Sequence, residues 1–277
     1  MIPKIIHYCW FGGKPLDKLG KKCLESWKKF FPDYEIKEWN ESNFDVNSCR
    51  YVKEAYEAKK WAFVSDYARF KILYEYGGVY FDTDVEVIKP FDEILSKGNY
   101  MGCERKGTAA VHGSGMAVNP GLGMAVNPGL GIIKEIIEDY DESNFIKADG
   151  TYDLTTIVER TTKILKKHGL SDIDKIQTIE EINIYPTEYF CPKSYETGKI
   201  VLTENTVCIH HFSASWISKI DKKVKQKRNK YISKYGEEEG KKLFSKWYKR
   251  NILIIYIKKH GLIWTIKKIV KKLKGVK

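Results

Sequence analysis

Apolar side chains return at three- and four-residue steps between residues 54 and 76, at Ala62, Phe63, Tyr67, Phe70, Leu73 and Tyr76. That period predicts one long helix, and Gly77-Gly78 just beyond it is a usual way for a helix to stop. Short apolar runs predict strands over 4–10, 34–39, 78–81, 85–88, 100–103 and 207–211. Helical spacing marks 18–30, 131–140, 152–168, 222–235, 237–249 and 262–274 as further helices. Strands and helices alternate up to about residue 217, which predicts a layered α/β domain over 1–217 followed by a helical extension over 218–277. Between them, Gly115-Met116-Ala117-Val118-Asn119-Pro120-Gly121-Leu122 recurs unchanged as residues 123–130. Eight residues in two copies are too few for a solenoid. Asn-Pro-Gly reads as a turn in each copy, so the expectation is a duplication that lengthens a loop.

Composition narrows the class. At 277 residues and 43% hydrophobic content the chain holds one sizeable core. The six cysteines are scattered, with no Cys-x-x-Cys pair, which predicts free thiols and no structural zinc site. The strand-like run 5–11 follows the start almost at once, without a basic leader or cleavage site, and no apolar stretch approaches the ~20 residues of a membrane span. A cytoplasmic protein is therefore expected.

The net charge of +12 is unevenly spread. Residues 219–277 carry 21 Lys or Arg against four acids, a balance of +17, whereas the rest of the chain stands at −5. Such a tail could serve nucleic acid, but no recognisable nucleic-acid fold accompanies it, and none is expected as a partner. Leu262, Ile266, Ile269, Val270 and Leu273 share one helical face, with Lys267, Lys268, Lys271 and Lys272 elsewhere on the wheel. A basic amphipathic helix of this kind suits an anionic membrane surface, so a peripheral position at the inner face is one expectation. The alternative is a terminal helix packed on the body with its lysines in water.

The candidate chemistry centres on Gly77-Gly78-Val79-Tyr80-Phe81-Asp82-Thr83-Asp84-Val85. Alternate residues of an extended segment face the same way, so Asp82 and Asp84 are expected to converge. Paired carboxylates suit Mg²⁺ or Mn²⁺, which commonly bridge a protein to phosphates. Asp66 and Arg69, spaced i, i+3, fall on the apolar stripe of the preceding helix rather than on its lysine-rich side. Charges placed so belong either to a satisfied buried network or to a ligand site. A later cluster, Cys208-Ile209-His210-His211-Phe212-Ser213-Ala214-Ser215-Trp216, offers two histidines that a strand would point to opposite sides. At most one of them joins the aspartates.

Ala62 to Arg69, Leu73 to Asp84 and the opening Ile2-Pro3-Lys4-Ile5-Ile6-His7-Tyr8-Cys9-Trp10-Phe11-Gly12-Gly13 together resemble the glycosyltransferases with a DXD sugar-binding motif. That group, glycosyltransferase family 32, includes yeast mannosyltransferases and bacterial capsule transferases, and more distantly the clostridial glucosylating toxins. The resemblance implies a GT-A fold, Mn²⁺ or Mg²⁺ as cofactor, and transfer of a hexose with retention from a nucleotide-diphosphate sugar, a UDP-sugar ahead of GDP-mannose. The acceptor would be a glycan or lipid-linked glycan in surface polysaccharide synthesis. It assigns Asp82, Asp84 and, counting back from Trp216, His211 to the metal. Trp10, Asp66, Arg69, Tyr80, Asp82 and Trp216 would bind the donor, with Trp10 stacked on the base. Asp66, Arg69, Asp82 and Asp84 form the catalytic set. The departing phosphate would assist the acceptor hydroxyl, since no residue stands out as a covalent nucleophile. Two other readings compete: a metal-dependent nucleotidyltransferase, which would release pyrophosphate, and a non-enzymatic basic adaptor, in which the aspartates would be dispensable.

Overall fold

The computed structural model describes residues 1–105, 116–195, 197–213, 219–262 and 264–265. They form two compact units, one of residues 1–193 with 200–212 and one of residues 194–199 with 213–277. In chain order the first unit contains β1 (Ile5–Cys9), α1 (Lys18–Phe30), β2 (Glu35–Trp39), α2 (Arg50–Glu57), α3 (Trp61–Tyr76), β3 (Gly78–Tyr80) and β4 (Val85–Val87). It continues through α4 (Asp92–Ser96), β5 (Tyr100–Arg105), β6 (Ala117–Val126), α5 (Gly131–Asp141), α6 (Ile157–Lys167), β7 (Gln177–Ile179), β8 (Ile182–Tyr185), α7 (Thr187–Phe190) and β9 (Cys208–His210).

Seven strands form one sheet in the order β2-β1-β3-β6-β5-β8-β7, and β4 pairs with β9 in a separate ribbon. The sheet is mixed: β1 runs parallel to β2 and β3, whereas β6 is antiparallel to both β3 and β5. Neighbouring residues of one strand feed opposite apolar clusters. Ile6, Tyr8 and Val79 pack with Trp27, Phe31 and Phe91, while Cys9 and Tyr80 pack with Tyr67, Leu73 and Ile133. A sheet covered on both faces explains why its central strands read as unbroken apolar runs. The expected mixed sheet flanked by helices is present.

Three expectations are corrected. The helix foreseen over 54–76 is two helices. Lys59 adopts φ +57° and the Lys60 amide reaches back to the Ala55 carbonyl at 2.9 Å, a left-handed cap that ends α2 before Trp61 begins α3. Strands β6, β7 and β8 lie where no strand was expected. The duplicated octapeptide is not a loop extension either. Residues 117–122 of its first copy run inside β6, all of whose residues are buried, and its second copy finishes that strand before turning at Pro128-Gly129 into α5. The first Asn-Pro-Gly is accommodated because the register against β5 jumps, with Met101 opposite Met124 but Gly102 opposite Asn119. Residues 120–123 thus bulge out of the ladder, and a bulge is where a sheet tolerates proline.

The second unit holds α8 (Lys219–Tyr235) and α9 (Glu237–His260). A methyl group on Gly240 would come within 2.6 Å of the Ile232 Cα, so the two helices cross closely there. α9 carries the apolar run 252–257, in which Leu253 and Ile254 are 49% and 52% exposed. Most of the amphipathic stretch 262–274 lies outside the described residues. Among the described residues, no helix is long and apolar enough to cross a membrane. All six cysteines are free, and five of them are buried.

Candidate active site

The site grows from the corner where α3 hands the chain to β3. α3 stops at Gly77, which takes φ +62° and donates its amide to Leu73 at 2.9 Å. Gly78 follows at φ +99°, where a Cβ would lie 2.7 Å from the Ile5 carbonyl oxygen, so only glycine fits between α3 and β1. Buried His7 holds the same corner: its Nδ1 accepts from the Trp39 indole at 3.0 Å, leaving Nε2 to donate to the Gly77 carbonyl at 3.0 Å. β3 then delivers Asp82 at the sheet's end.

Asp82 and Asp84 do converge, though not by strand alternation. The Val85 amide bonds to the Asp82 carbonyl at 3.0 Å, so Asp82–Val85 is a turn linking β3 to β4. β9 lies antiparallel to β4 with His210 opposite Val85, which brings the imidazole to the turn. One ligand atom from each of Asp82, Asp84 and His210 lies within 4.8 Å of the others. His210 Nε2 is 3.2 Å from an Asp84 oxygen, and both side chains are buried. Burial opposes a charge on this ring, but Asp84 beside it wins and raises the imidazole well above its usual range.

From α3, Arg69 reaches the same turn. Its side chain is 4% exposed; Nη2 lies 2.9 Å from Asp66 and 3.2 Å from Asp82, while Nε donates to the Ser65 carbonyl at 3.1 Å. The guanidinium also sits 4.7 Å over the Tyr80 ring, and the Tyr80 hydroxyl donates to Asp82 at 3.1 Å. Asp66 and Arg69 are therefore no surface pair but part of a buried network. Burial pushes the Asp66 carboxyl up to about 7 in spite of Arg69. Two carboxylates and an imidazole form an oxygen-rich donor set suited to Mn²⁺ or Mg²⁺. Asp82 Oδ1 takes both Arg69 Nη2 and the Tyr80 hydroxyl, whereas Oδ2, with one Arg69 contact at 3.5 Å, retains a lone pair for a cation.

The structure thus gathers Asp66, Arg69, Tyr80, Asp82 and Asp84, and adds His210 in place of His211. The His211 ring faces away from the cluster, 2.8 Å from a Glu86 carboxylate that also takes Lys22 at 2.7 Å; only its backbone amide meets Asp84, at the carbonyl. The reason is strand parity, for adjacent residues of β9 point to opposite sides. The pairing of Val85 with His210 was the signal that could have chosen between them, and it requires knowing that β4 and β9 are neighbours. Trp10 is half-buried beyond β1, its indole donating to the Lys14 carbonyl, and no described contact joins it to the acidic cluster. Trp216 lies outside the described residues. Two further neighbours carried no motif in the sequence. Phe212 takes φ +53° directly after the histidines and sets its ring 4.3 Å from His210. Gly121 presses against Asp82 so closely that a Cβ would fall 2.0 Å from a carboxylate oxygen.

Residues 17–101 match the family model of the glycosyltransferase sugar-binding region containing the DXD motif. Inositol phosphoceramide mannosyltransferase 3 of Schizosaccharomyces pombe is 31% identical over 101 residues, which cover 34% of this chain and 27% of that protein. Inositol phosphoceramide mannosyltransferase 1 of the same yeast is 30% identical over 111 residues, covering 36% and 33%. The chain thus spans about a third or less of the length of these two relatives. Among solved structures, the PaToxG glycosyltransferase is similar with a TM-score of 0.43 and 20% identity, over 60% of this chain and 69% of that one.

Proposed function

We propose that this chain, with its DXD sugar-binding region, is a divalent-metal-dependent glycosyltransferase that moves a hexose from a nucleotide-diphosphate sugar to a saccharide or lipid-linked saccharide. The observation that carries the proposal is the convergence of Asp82, Asp84 and His210 beside buried Arg69. When a diphosphate leaves a sugar, negative charge develops on its oxygens, and a divalent cation at this cluster would neutralise it. Asp84 and His210, braced on each other, and Asp82 would hold that cation. Arg69 is too buried to reach a substrate, so its part is to fix Asp82 and Asp66 in place. Asp66, 13% exposed and disposed to carry a proton, is suited to hydrogen bonds with sugar hydroxyls. Tyr80 orients Asp82 from the other side. Trp10 and Trp216 are assigned to the nucleotide by resemblance alone. Retention through a front-face path follows from the same resemblance, the departing phosphate taking the acceptor's proton.

The acceptor reading draws on the second unit. α9 carries half-exposed Leu253 and Ile254 between Lys249-Arg250 and Lys258, an apolar face framed by positive charge. Such a face suits an anionic lipid surface, where an enzyme of surface polysaccharide synthesis would meet lipid-linked acceptors. The two yeast relatives are named for mannose and for a ceramide lipid, so GDP-mannose stands beside the UDP-sugars as a donor to be tried.

The test is a panel of UDP- and GDP-sugars with Mn²⁺, scored by the product released. Nucleoside diphosphate from one donor, lost in Asp84→Ala, is the expected result. Pyrophosphate from a nucleoside triphosphate would replace the proposal with nucleotidyl transfer. Full activity in Asp84→Ala would remove the metal cluster from it altogether.

A further inference from the structure

The duplicated octapeptide enters the site. Its first copy bulges from β6 at residues 120–123, and the Gly121 carbonyl accepts the Asp82 amide at 3.1 Å. The Gly121 amide donates to Asn119 Oδ1 at 2.8 Å, and Asn119 Nδ2 donates to Glu104 at 2.8 Å. The chemistry of the partners fixes the orientation of this amide: a carboxylate can only accept, and a backbone N–H can only donate. Asn119 is 7% exposed, so neither bond is easily exchanged for water. A directional chain therefore runs Glu104–Asn119–Gly121–Asp82, from the end of β5 to the first aspartate of the DXD motif. Gly121 has no left-handed φ that would demand glycine; what demands it is space, since Asp82 and the Arg69 guanidinium occupy the position of a side chain, at 2.0 and 2.8 Å.

The second copy holds the same eight residues and does none of this. Asn127 bonds to Asn99, and a Cβ on Gly129 would meet nothing within 4 Å. One sequence thus appears twice in one molecule, once against the acidic cluster and once at the start of α5.

We infer that Asn119 and Gly121 are positioning residues for the cation-holding cluster, acting through the backbone and carboxylate of Asp82. The inference rests on the metal-assisted reading of that cluster. It assigns the first octapeptide copy to the site and the second to the scaffold.

The internal duplicate supplies matched controls. Mn²⁺ affinity would be measured by titration calorimetry and by the free-ion electron-spin signal, together with donor-hydrolysis kcat and KM and the melting temperature, in Gly121→Ala, Asn119→Ala, Asn119→Asp, Asn127→Ala, Gly129→Ala and Asp84→Ala. Removing an outer partner of a metal ligand typically weakens metal affinity ~10–100-fold, and that loss is expected for Gly121→Ala and Asn119→Asp. The latter sets a second carboxylate against Glu104. Asn119→Ala should lose about 10-fold, by the same range, with a lower melting temperature because it leaves the buried Gly121 amide without its acceptor. Asn127→Ala and Gly129→Ala should keep wild-type Mn²⁺ affinity, Gly129→Ala with a lower melting temperature because its φ is +77°. If Gly121→Ala fails to fold, the two Asn119 variants decide. Mn²⁺ affinity and kcat within about twofold of wild type in the Asn119 variants, while Asp84→Ala has lost both, would overturn the inference and leave the proposed function standing. Retention of both by Asp84→Ala would instead overturn the proposed function.

Discussion

Arg69 and Arg160 are both buried guanidiniums held by aspartates over tyrosine rings. Arg160, 8% exposed, is bound by Asp139, by Asp153 at 2.6 Å and by the Ser143 hydroxyl at 3.0 Å, and sits 4.7 Å over Tyr140 and 5.3 Å over Tyr51. The two networks share these contacts, but they differ in how many ionisable groups meet at one point. Around Arg160 the carboxylates are satisfied. Partial burial works against the Asp153 charge, yet the Thr155 hydroxyl and amide and Arg160 itself hold it below the usual carboxylate range. Around Arg69 one cation faces Asp66 and Asp82, with Asp84 and His210 adjoining, and burial leaves Asp66 raised. One network ties α6 to α5 and to the segment before it. The other gathers three carboxylates, Asp66, Asp82 and Asp84, around Arg69 and His210, so that a divalent cation held there would take the place of the His210 proton. Burial of an arginine therefore says little about function. The acids and the imidazole gathered around it say more.

The comparison breaks most visibly on removal of Arg160. Arg160→Ala strands two aspartates against tyrosines and should cost about 3–5 kcal/mol of stability, read by urea unfolding, while the folded fraction keeps its Mn²⁺ affinity. A variant that loses metal affinity without losing stability would dissolve the distinction. The opposite profile is expected of the cluster: Asp84→Ala and His210→Ala should lower kcat about 10²–10³-fold with little change in melting temperature. His211→Ala, whose described side-chain hydrogen bond goes to Glu86, should stay within a few-fold of wild type. If His211→Ala fell as far as His210→Ala, the ligand assignment read from β9 would be wrong.

Acid should separate the two regions more gently. Burial, ahead of any other cause, lowers the His7 pKa to about 4, because the ring is enclosed beside Gly77 in its neutral form. The unfolded chain takes up this proton near pH 6.5 and the folded chain only near 4, so stability is full above pH 6.5 and falls as pH drops toward 4. The loss reaches about 3 kcal/mol at most, measured as the unfolding midpoint against pH. His7→Gln should flatten that slope. The smallest effect lies far from both networks, in the β7–β8 hairpin, where Glu181 takes φ +65°. Glu181→Gly should raise stability by about 0.5–1 kcal/mol, visible in the melting temperature.

Much of the site was legible in residues 62–84, because a helix, a glycine stop and an apolar strand are local features with local signals. Asp66, Arg69, Tyr80, Asp82 and Asp84 all lie in that span and meet in space. Their convergence was foreseen for a reason that does not hold, since a turn rather than an extended segment joins the two aspartates. His210 was beyond reach because its choice over His211 depends on β4 and β9 pairing across more than a hundred residues. The duplicated octapeptide was misjudged for a related reason. Asn-Pro-Gly carries a strong local turn preference, and the sheet overrode it in one copy by confining proline and glycine to a bulge. Local chemistry fixed the turn at Pro128-Gly129, whereas neighbours far along the chain decided what Pro120-Gly121 became.

Identity between the two octapeptides also has a consequence for how the chain finds its fold. Met124-Ala125-Val126 now lies between β3 and β5, but Met116-Ala117-Val118 could occupy the same rung with every contact to those two neighbours reproduced. A slip of eight residues is even, so no side chain would change face. The contacts of that rung do not tell these threadings apart. What distinguishes them lies outside it: the buried place of Leu122, and the bonds of Val118 to Thr162, Asn119 to Glu104 and Gly121 to Asp82. The contacts that order the acidic cluster are thus among those that select the native register of the sheet.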